Sequence, residues 1–215
     1  MQTLEERKAE DEGWSTHRKS GAASRVLDIL CAVAALVVSS PAIAVIAAAI
    51  KLDDGGPVLY RQVRVGRGFR PFYICKFRSM TVGADRHGLL TAPADSRVTR
   101  VGRVLRRYKL DELPQLWNIL TGDMQLVGAR PEVERYVQMF PSQYAEILQD
   151  RPGITDPASL AYWNEEEILS ASRLEEHYLE EVLPAKLKLS LEYQRHRNLW
   201  SDLRILFRTA VGLIS

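Results

Sequence analysis

The sequence has few cysteines and almost no excess of charge. Two cysteines occur in 215 residues, Cys31 in an apolar stretch and Cys75 in a strand-like one. Their number and spacing exclude a disulfide framework and a cysteine-based metal site, and they fit a reducing, cytoplasmic setting. The 29 basic residues nearly balance the 27 acidic ones, for a net charge of +2. This balance does not suggest a protein coated in nucleic acid, although local basic patches remain open.

The sequence also lacks the short motifs of several enzyme classes. It contains no Walker-type glycine loop, dinucleotide-binding fingerprint, serine elbow or Cys/His metal cluster. The four histidines are scattered, and His87, in a long loop, is the one that we retain as a candidate.

One long apolar run breaks the pattern of a soluble protein. Residues 29–50 carry no charge, and Ser39, Ser40 and Pro41 are the residues that interrupt the run. A helix needs roughly 20 residues to cross a bilayer core. The charged segment before the run argues against a cleavable signal peptide. We therefore expect a retained membrane anchor.

The path of this anchor is open from the residues alone. Pro41 removes a helical hydrogen bond, so we expect a kink, with Ser39 and Ser40 able to satisfy the freed backbone groups. Basic residues flank both sides, and the positive-inside asymmetry is missing. They are Arg18, Lys19 and Arg25 before the run, and Lys51, Arg61, Arg64 and Arg67 after it. A kinked spanning helix and an anchor with both ends in the cytoplasm are equally compatible with this pattern.

The chain divides into three segments: a polar tail (1–23), the anchor (24–52) and an α/β domain rich in helices (53–215). Alternation predicts a hairpin of residues 58–65 and 69–77, and helical spacing predicts a basic helix over 98–108. We expect a loop over 84–96, a helix over 114–120 that restarts after a non-helical Leu113, a strand over 124–127 and a turn over 151–153. Residues 165–215 read as helices that pack on the domain or lie on the membrane surface.

The adjacent carboxylates Asp111 and Glu112 follow the basic helix and precede a second helix. Carboxylates there can place Mg²⁺ against a diphosphate, and an ionised aspartate can attack phosphorus directly. The plain alternative is that Asp111 caps the second helix and that Glu112 is a carboxylate in its first turn, where the helix dipole favours negative charge.

The basic helix carries arginines whose plain alternatives are a solvated face or attraction to anionic lipid head groups. They are Arg97, Arg100, Arg103, Arg106 and Arg107. Arg130, between Gly128 and Pro131 after a strand, is placed to present one side chain to a ligand, and the alternative is a surface turn.

Several stretches together resemble the bacterial sugar transferase family, the monotopic polyprenyl-phosphate phosphoglycosyl transferases. They are SRVLD at residues 24–28, Ser40-Pro41, GGPVLYRQVRVGRG from residue 55, KFRSM from residue 76, DSRVTRVGRVLRRYKLDELPQLWNIL from residue 95, GDMQLVGARPE from residue 122 and RPGIT from residue 151. The pairing of YKLDELPQLWN with GDMQLVGARPE is the most specific part of the match.

The resemblance implies a re-entrant membrane helix broken at Ser40-Pro41 that returns to the cytoplasmic face of the bacterial inner membrane. It implies that Asp111 is the nucleophile, forming a phosphosugar ester as UMP leaves a UDP-sugar, before polyprenyl (undecaprenyl) phosphate attacks. Glu112 would assist through proton handling or placement of Mg²⁺, with both dyad carboxylates as metal ligands. The implied partners are the two substrates and the lipid bilayer, with no nucleic acid, and a homodimer is one open assembly.

The resemblance also assigns residues to the substrates. Arg106 and Arg130 would bind phosphate, Lys76 and Arg78 would hold the nucleotide sugar or the fold, and Glu132 would belong to the substrate site.

There are two departures from the family pattern. Gly128-Ala129-Arg130-Pro131 replaces the commoner Gly-Pro-Arg-Pro, and Asp156-Pro157-Ala158-Ser159 replaces Gly-Trp-Ala-Gln. The second change removes the residues from which donor-sugar contacts would be inferred. The chain is similar to the minimal catalytic form of the family.

Two other functions compete with this expectation. A non-catalytic membrane-surface protein would bind anionic lipids through the basic helix and would keep its activity in Asp111→Asn. A basic nucleic-acid binder would show strong salt dependence, but the interleaved aromatics of a single-strand platform are missing.

Overall fold

The computed structural model describes residues 21–169 and 173–212. The predicted tail therefore lies almost wholly outside the described residues. The strands are β1 (Leu59–Val65), β2 (Pro71–Phe77), β3 (Gln125–Val127) and β4 (Gly153–Thr155). The helices are α1 (Ala22–Asp54), α2 (Arg100–Arg107), α3 (Gln115–Thr121), α4 (Glu134–Val137), α5 (Pro141–Ile147), α6 (Pro157–Ala161), α7 (Glu165–Ile168), α8 (Leu174–His177), α9 (Leu183–His196) and α10 (Leu199–Gly212). Short 3₁₀ turns cover Arg67–Phe69, Ala84–His87 and Leu110–Glu112, and a π-helical turn covers Tyr178–Val182.

The strands form two small sheets. β1 and β2 are antiparallel, with Leu59 opposite Phe77, so the predicted hairpin is confirmed, although its second strand begins at Pro71. β3 and β4 are parallel, with Gln125 opposite Gly153. The predicted turn over 151–153 is wrong at Gly153, which opens β4 because a parallel partner lies beside it. The structure is thus rich in helices with short strands, as expected.

Helix α1 is the helix among the described residues that is long and apolar enough to cross a membrane. Its helical assignment continues through Ser40 and Pro41, so the expected break does not interrupt the helix. Pro41 leaves the carbonyl of Val37 without an amide donor, and the Ser40 hydroxyl donates to that carbonyl at 2.8 Å. The Ser39 hydroxyl donates to the carbonyl of Ala35 at 2.6 Å. The prediction that a serine satisfies the freed backbone group is confirmed for Ser40, whereas Ser39 bonds a carbonyl that Pro41 does not free. The path of α1 through a membrane stays a prediction.

The first half of α1 packs on the domain. Ala32 is fully buried in an apolar cluster with Ile74, Ile119 and Met124. The Arg25 guanidinium donates to the carbonyl oxygens of Ile119 at 2.5 Å and Met124 at 3.3 Å. Free carbonyl groups at the end of a helix favour a cation. Arg25 therefore fastens the start of α1 to the end of α3.

The second half of α1 packs on the same domain. Ile46 and Ile50 join a separate apolar cluster with Phe77 and Leu105. The outer face is exposed and apolar along the whole length of the helix. Its members include Leu30 (62% exposed), Val37 (68%), Val38 (81%), Val45 (69%) and Leu52 (87%). A continuous apolar face of this kind needs a non-aqueous partner.

Helix α2 confirms the predicted basic helix and begins at two caps. The Thr99 hydroxyl accepts from the Gly102 amide at 2.9 Å, and Asp53, in the last turn of α1, accepts from the Val101 amide at 3.2 Å. A Cβ at Gly102 would lie 1.9 Å from the Ser79 carbonyl oxygen, so only glycine allows this approach. The α2 backbone is thereby held against the end of β2.

The C-terminal half builds the third core cluster. Tyr136 and Tyr178 stack with ring centroids 5.3 Å apart, beside buried Val182 and Leu187. The predicted helical character of residues 165–215 is confirmed for the described part, in four helices and a π-helical turn. Residues 170–172 and 213–215 lie outside it.

Candidate active site

The dyad lies in a tight turn between α2 and α3. Lys109 adopts the left-handed conformation, with φ 52° and ψ 19°, and the 3₁₀ turn Leu110–Glu112 follows it. The expectation that Leu113 leaves the helical region before Pro114 is wrong, because Leu113 has φ −50° and ψ −38°. The turn and α3 thus form a nearly unbroken helical path, which places Asp111 one turn before Gln115. A non-glycine residue with positive φ beside a reactive group is a common form of stored strain.

Two cations hold Glu112. The Lys76 ammonium lies 3.1 Å from Oε1, and the Arg130 guanidinium donates to both carboxylate oxygens, with Nη1 3.0 Å from Oε2. Burial raises the pKa of the Glu112 carboxyl, but Arg130 and Lys76 outweigh burial and hold that pKa well below its usual range. Glu112 is therefore a permanent anion that positions two cations.

Asp111 differs from its neighbour in having no such partners. Its side chain is buried, at 6% exposure, and it makes no hydrogen bond or ion pair with the described part of the chain. Burial and the negative charge of Glu112 raise the pKa of Asp111, while Lys76, Arg106 and Arg130 act in the opposite direction without cancelling the effect. The cap reading of Asp111 is thereby excluded, because neither the turn nor α3 has a side-chain cap. A buried carboxylate without hydrogen bonds is well suited to attack an electrophile.

Arg130 reaches the dyad because two backbones pass very close to each other. A Cβ on Gly153 would lie 2.1 Å from the Gly128 nitrogen, and one on Gly128 would lie 3.0 Å from the Arg151 carbonyl oxygen. The Gly128 amide also donates to the Thr155 carbonyl at 2.9 Å. These contacts fix the loop after β3, so Arg130 is presented by a rigid support.

Arg106 is engaged by other parts of the chain. Its Nε donates to Glu166 Oε1 at 2.9 Å, Nη2 donates to the same oxygen, and Nη2 also donates to the Thr91 hydroxyl at 2.8 Å. Thr91 belongs to the loop predicted over 84–96, and Glu166 belongs to α7. Arg106 also lies close enough to Asp111 to lower its pKa electrostatically.

Two residues assigned to the substrate, Arg78 and Glu132, bond to other residues of the protein. Arg78 forms a bidentate ion pair with Asp54, whose pKa it lowers to about 2, and donates to the Pro57 carbonyl at 2.6 Å. Of the two roles expected for Arg78, its contacts support holding the fold. Glu132 accepts from Arg64 at 2.8 Å and from the Tyr178 hydroxyl at 2.9 Å. Both carboxylate oxygens of Glu132 therefore have partners within the fold, and its place in the substrate site stays a prediction.

The dyad can contribute oxygen ligands to a metal but does not form a complete cage. No group of three or more His, Cys, Asp or Glu side chains suited to a metal occurs among the described residues. Mg²⁺ usually takes one or two carboxylates together with substrate phosphates and water. A carboxylate offers about four lone-pair sites, and Lys76 and Arg130 use three on Glu112. Asp111 and the remaining site on Glu112 fit a shared ion of that kind.

The family profile described as bacterial sugar transferase matches residues 19–215, nearly the whole chain. The chain belongs to the bacterial sugar transferase family. This assignment confirms the resemblance seen in the dyad and arginine motifs.

Several relatives of this chain carry undecaprenyl phosphate in their names. An Aeromonas hydrophila UDP-N-acetylgalactosamine-undecaprenyl-phosphate N-acetylgalactosaminephosphotransferase is 38% identical over 86% of this chain and 42% of the relative. A Caulobacter vibrioides UDP-glucose:undecaprenyl-phosphate glucose-1-phosphate transferase is 36% identical over 89% of this chain and 69% of the relative. A Bacillus subtilis protein, named a putative undecaprenyl-phosphate N-acetylgalactosaminyl 1-phosphate transferase, is 44% identical over 60% of this chain and 72% of the relative. The chain spans less than half the length of the Aeromonas relative.

The second departure from the family pattern has a structural role in this chain. Asp156 is fully buried, accepts from the Ser159 amide at 2.8 Å to cap α6, and accepts from the Ser190 hydroxyl at 2.5 Å. The Asp156-Pro157 pair is thus a helix start with proline in the first turn. This segment ties α6 to α9.

Sequence reasoning missed two residues near the dyad. Glu166 forms an ion pair with Arg106. The acidic residues 165–167 were the sequence feature that could have indicated a partner for one of the basic residues of the site. Gln115 is fully buried, and neither amide atom has a hydrogen-bond partner within the described residues. The side chain of the candidate His87 lies outside the part of the chain that the structure describes.

Proposed function

We propose that this sugar transferase moves a sugar 1-phosphate from a UDP-sugar to polyprenyl phosphate, giving polyprenyl diphosphate sugar and UMP. The observation that carries the proposal is Asp111: a buried carboxylate without hydrogen bonds, beside Lys76, Arg106 and Arg130. A nucleophile without partners and three cations match a reaction in which negative charge moves between phosphoryl oxygens. The names of the relatives support the same substrates.

The reaction proceeds in two displacements at one phosphorus. A carboxylate oxygen of Asp111 attacks the sugar-linked phosphorus, the bond from that phosphorus to the bridging oxygen breaks, and UMP leaves with the bridging oxygen. A phosphate oxygen of the polyprenyl phosphate then attacks the same phosphorus, and the bond to Asp111 breaks. The carboxylate is regenerated and a new diphosphate bond is formed, so both substrates use one pocket in turn.

The basic residues bind and orient the phosphates. Arg130 and Lys76 are held by Glu112 and supply fixed positive charge next to Asp111. Arg106 supplies a guanidinium edge that can hold a phosphate bidentately. Bound Mg²⁺ supplies neutralisation of the diphosphate charge, and Asp111 and Glu112 are the residues that would hold it.

The anchor belongs to the same proposal. Arg25 and Asp54, near the two ends of α1, both contact one domain, and that supports a re-entrant path better than a crossing with the ends on opposite sides. A polyprenyl acceptor and a soluble nucleotide sugar meet only at the membrane surface. We therefore place the site at the cytoplasmic face of the inner membrane.

The competing function is a non-catalytic lipid-binding protein. Arg100, Arg103 and Arg107 are exposed on α2, beside exposed Val104 and Tyr108, and this surface suits anionic head groups. That surface explains lipid attraction but not a buried unpaired Asp111.

Release of UMP tests the proposal. Purified protein in lipid is incubated with a panel of UDP-sugars, with and without Mg²⁺ and polyprenyl phosphate, beside Asp111→Asn. We expect repeated turnover with UMP release to require the acceptor in the parent protein, and at least a 100-fold loss of turnover in the variant, as for removal of a nucleophile (~10³ or more). Equal release by a folded Asp111→Asn would exclude Asp111 as the nucleophile, and silence across the panel would favour the lipid-binding function.

A further inference from the structure

The side chain of Arg106 links three segments of the chain. Arg106 comes from α2, Thr91 from the loop before it, and Glu166 from α7. A second contact links the same regions, since the Lys109 ammonium lies 5.6 Å from the centroid of the Trp163 ring. The segment that carries Trp163 and Glu166 is therefore held against the end of α2, directly before the dyad.

The contacts of Arg106 leave it little capacity for a phosphate. A guanidinium has five N–H donors, and its strong binding mode uses two parallel ones. Glu166 takes the Nε donor and one Nη2 donor, and Thr91 takes the other Nη2 donor. Only the Nη1 donors are unused within the described residues. A diphosphate can bind Arg106 bidentately only after one of these partners leaves.

Glu166 is the partner that can leave at small cost. Its side chain is 41% exposed, against 22% for Arg106, so water can take over its carboxylate. Exposed ion pairs are weak, typically below about 1 kcal/mol, because solvent screens them.

We propose that Glu166 occupies the phosphate-binding edge of Arg106 until the donor arrives, so that donor binding exchanges one anion for another. This inference rests on the proposed function, in which Arg106 binds the donor diphosphate. Glu166 is then a positioning residue: it sets donor affinity and helps expel UMP, and it does not touch the reacting atoms.

The exchange predicts a specific change in donor affinity. Glu166→Gln removes the competing charge and keeps the size of the side chain, so we expect the KM for the UDP-sugar to fall about two- to fivefold. The inhibition constant of UMP should fall in the same proportion, with a smaller change in kcat. Glu167→Gln is the matched control, because Glu167 is exposed and its carboxylate forms no hydrogen bond or ion pair within the described residues. Glu166→Asp keeps the charge and should stay closer to the parent.

Ionic strength separates the exchange from a structural role. In the parent protein, donor binding replaces the Arg106–Glu166 ion pair with an ion pair between Arg106 and the donor diphosphate. In Glu166→Gln, donor binding creates that ion pair without breaking another. The KM of the variant should therefore rise more steeply with salt than that of the parent or Glu167→Gln.

The outcomes are distinct for the two proposals. A parent that releases no UMP from any UDP-sugar would defeat the proposed function itself. An active parent whose Glu166→Gln variant matches Glu167→Gln in KM and salt slope would overturn the exchange and leave the function standing. A raised KM in Glu166→Gln would overturn it too, because Glu166 would then aid donor binding.

Discussion

At the scale of single residues, the two members of the dyad are held in opposite ways. Glu112 has its charge fixed by Arg130 and Lys76, whereas Asp111 is buried with no partner of its own. Burial costs a carboxylate less when it is protonated, so a raised pKa marks a group that destabilises the fold when it is charged. In the proposed mechanism, the same feature leaves the Asp111 carboxylate free to attack phosphorus.

We predict that Asp111→Asn is more stable than the parent protein at neutral pH while losing activity. The folded pKa of Asp111 lies above the ordinary carboxyl value, so its ionised form costs stability above the folded pKa. The cost fades as pH falls toward the ordinary value of about 4. Thermal unfolding in detergent should show a higher Tm for the variant at pH 7. An effect of about 1 kcal/mol, the usual size for a single substitution, would raise Tm by roughly 2–4 °C in a domain of this size.

The comparison at low pH provides the control for this prediction. The Tm difference between variant and parent should shrink below pH 4. A variant that is less stable than the parent at pH 7 would show that Asp111 makes stabilising contacts in the fold.

The pH dependence of catalysis should have two limbs with different origins. Asp111 must be ionised to attack, so activity falls as pH drops through its raised pKa. Burial lowers the pKa of Lys76 more than the nearby carboxylates raise it, so activity falls again as Lys76 loses its proton at alkaline pH. Glu112 adds no limb near neutrality, because its pKa is far below its usual range.

Lys76→Arg tests the alkaline limb, since arginine keeps its charge in proteins. A profile of kcat/KM against pH should keep the acid limb and move the alkaline limb to higher pH. An unchanged alkaline limb would assign it to another group.

At the scale of elements, α1 and the domain form one packed unit. Its two halves contribute to separate apolar clusters, and charged contacts near both ends tie it to α3 and β2. A helix that crosses the bilayer would leave one end on the far side, away from these contacts. A spanning path and a re-entrant path therefore predict different labelling of the two ends of α1 from outside the cell.

Single cysteines at Ala23 and Leu52 distinguish these paths. Both positions are exposed, Leu52 by 87%. With Cys31 replaced by serine and Cys75 left buried, we expect neither Ala23→Cys nor Leu52→Cys to react with a membrane-impermeant thiol reagent in intact cells. Both should react after the inner membrane is opened. Labelling of one position alone in intact cells would establish a spanning helix.

The helices and strands that are determined by patterns of neighbouring residues could be predicted from the sequence. The hairpin follows from alternation between two turn clusters, and α2 follows from apolar residues at helical spacing. Leu113 was predicted wrongly because tertiary packing overrode its preference before Pro114. The turn expected at Gly153 is a strand start instead, because its parallel partner, β3, is remote in sequence.

The candidate site shows the same division between local and remote causes. Asp111, Glu112 and Arg130 were found through motifs, and the structure brings Lys76 and Arg130 onto Glu112. The pairing of Arg106 with Glu166 joins positions 60 residues apart, and no periodicity encodes such a contact. The structural contacts of Glu132 depend on Tyr178, which is also remote.

At the scale of the whole molecule, two apolar surfaces lie close together. Helix α10 exposes Trp200 (81%), Leu203 (43%) and Phe207 (71%) along one face, and packs on β3 and β4. The start of α1 also contacts β3, and Arg197 and Asp202 act electrostatically on Asp28. We infer that α10 lies at the membrane surface beside α1, with its aromatic rings at the head-group level.

Quenching of tryptophan fluorescence checks this placement. In vesicles with brominated acyl chains, the parent protein should lose part of its emission through Trp200. Trp200→Phe should show a clearly smaller fractional loss, whereas Trp163→Phe, a change at a half-buried ring, should not reduce it. Equal quenching in the parent and Trp200→Phe would place α10 away from the lipid.

The attachment of α1 at both ends also determines how the molecule can move. Because both ends of α1 are bonded to the domain, the helix cannot rotate relative to it. The domain therefore has no hinge at which it could change its height above the bilayer. In the proposed membrane setting, every lipid phosphate must reach Asp111 at a single depth. Lipids that carry their phosphate farther out in the water would then be rejected by position, before any side chain could distinguish their chemistry.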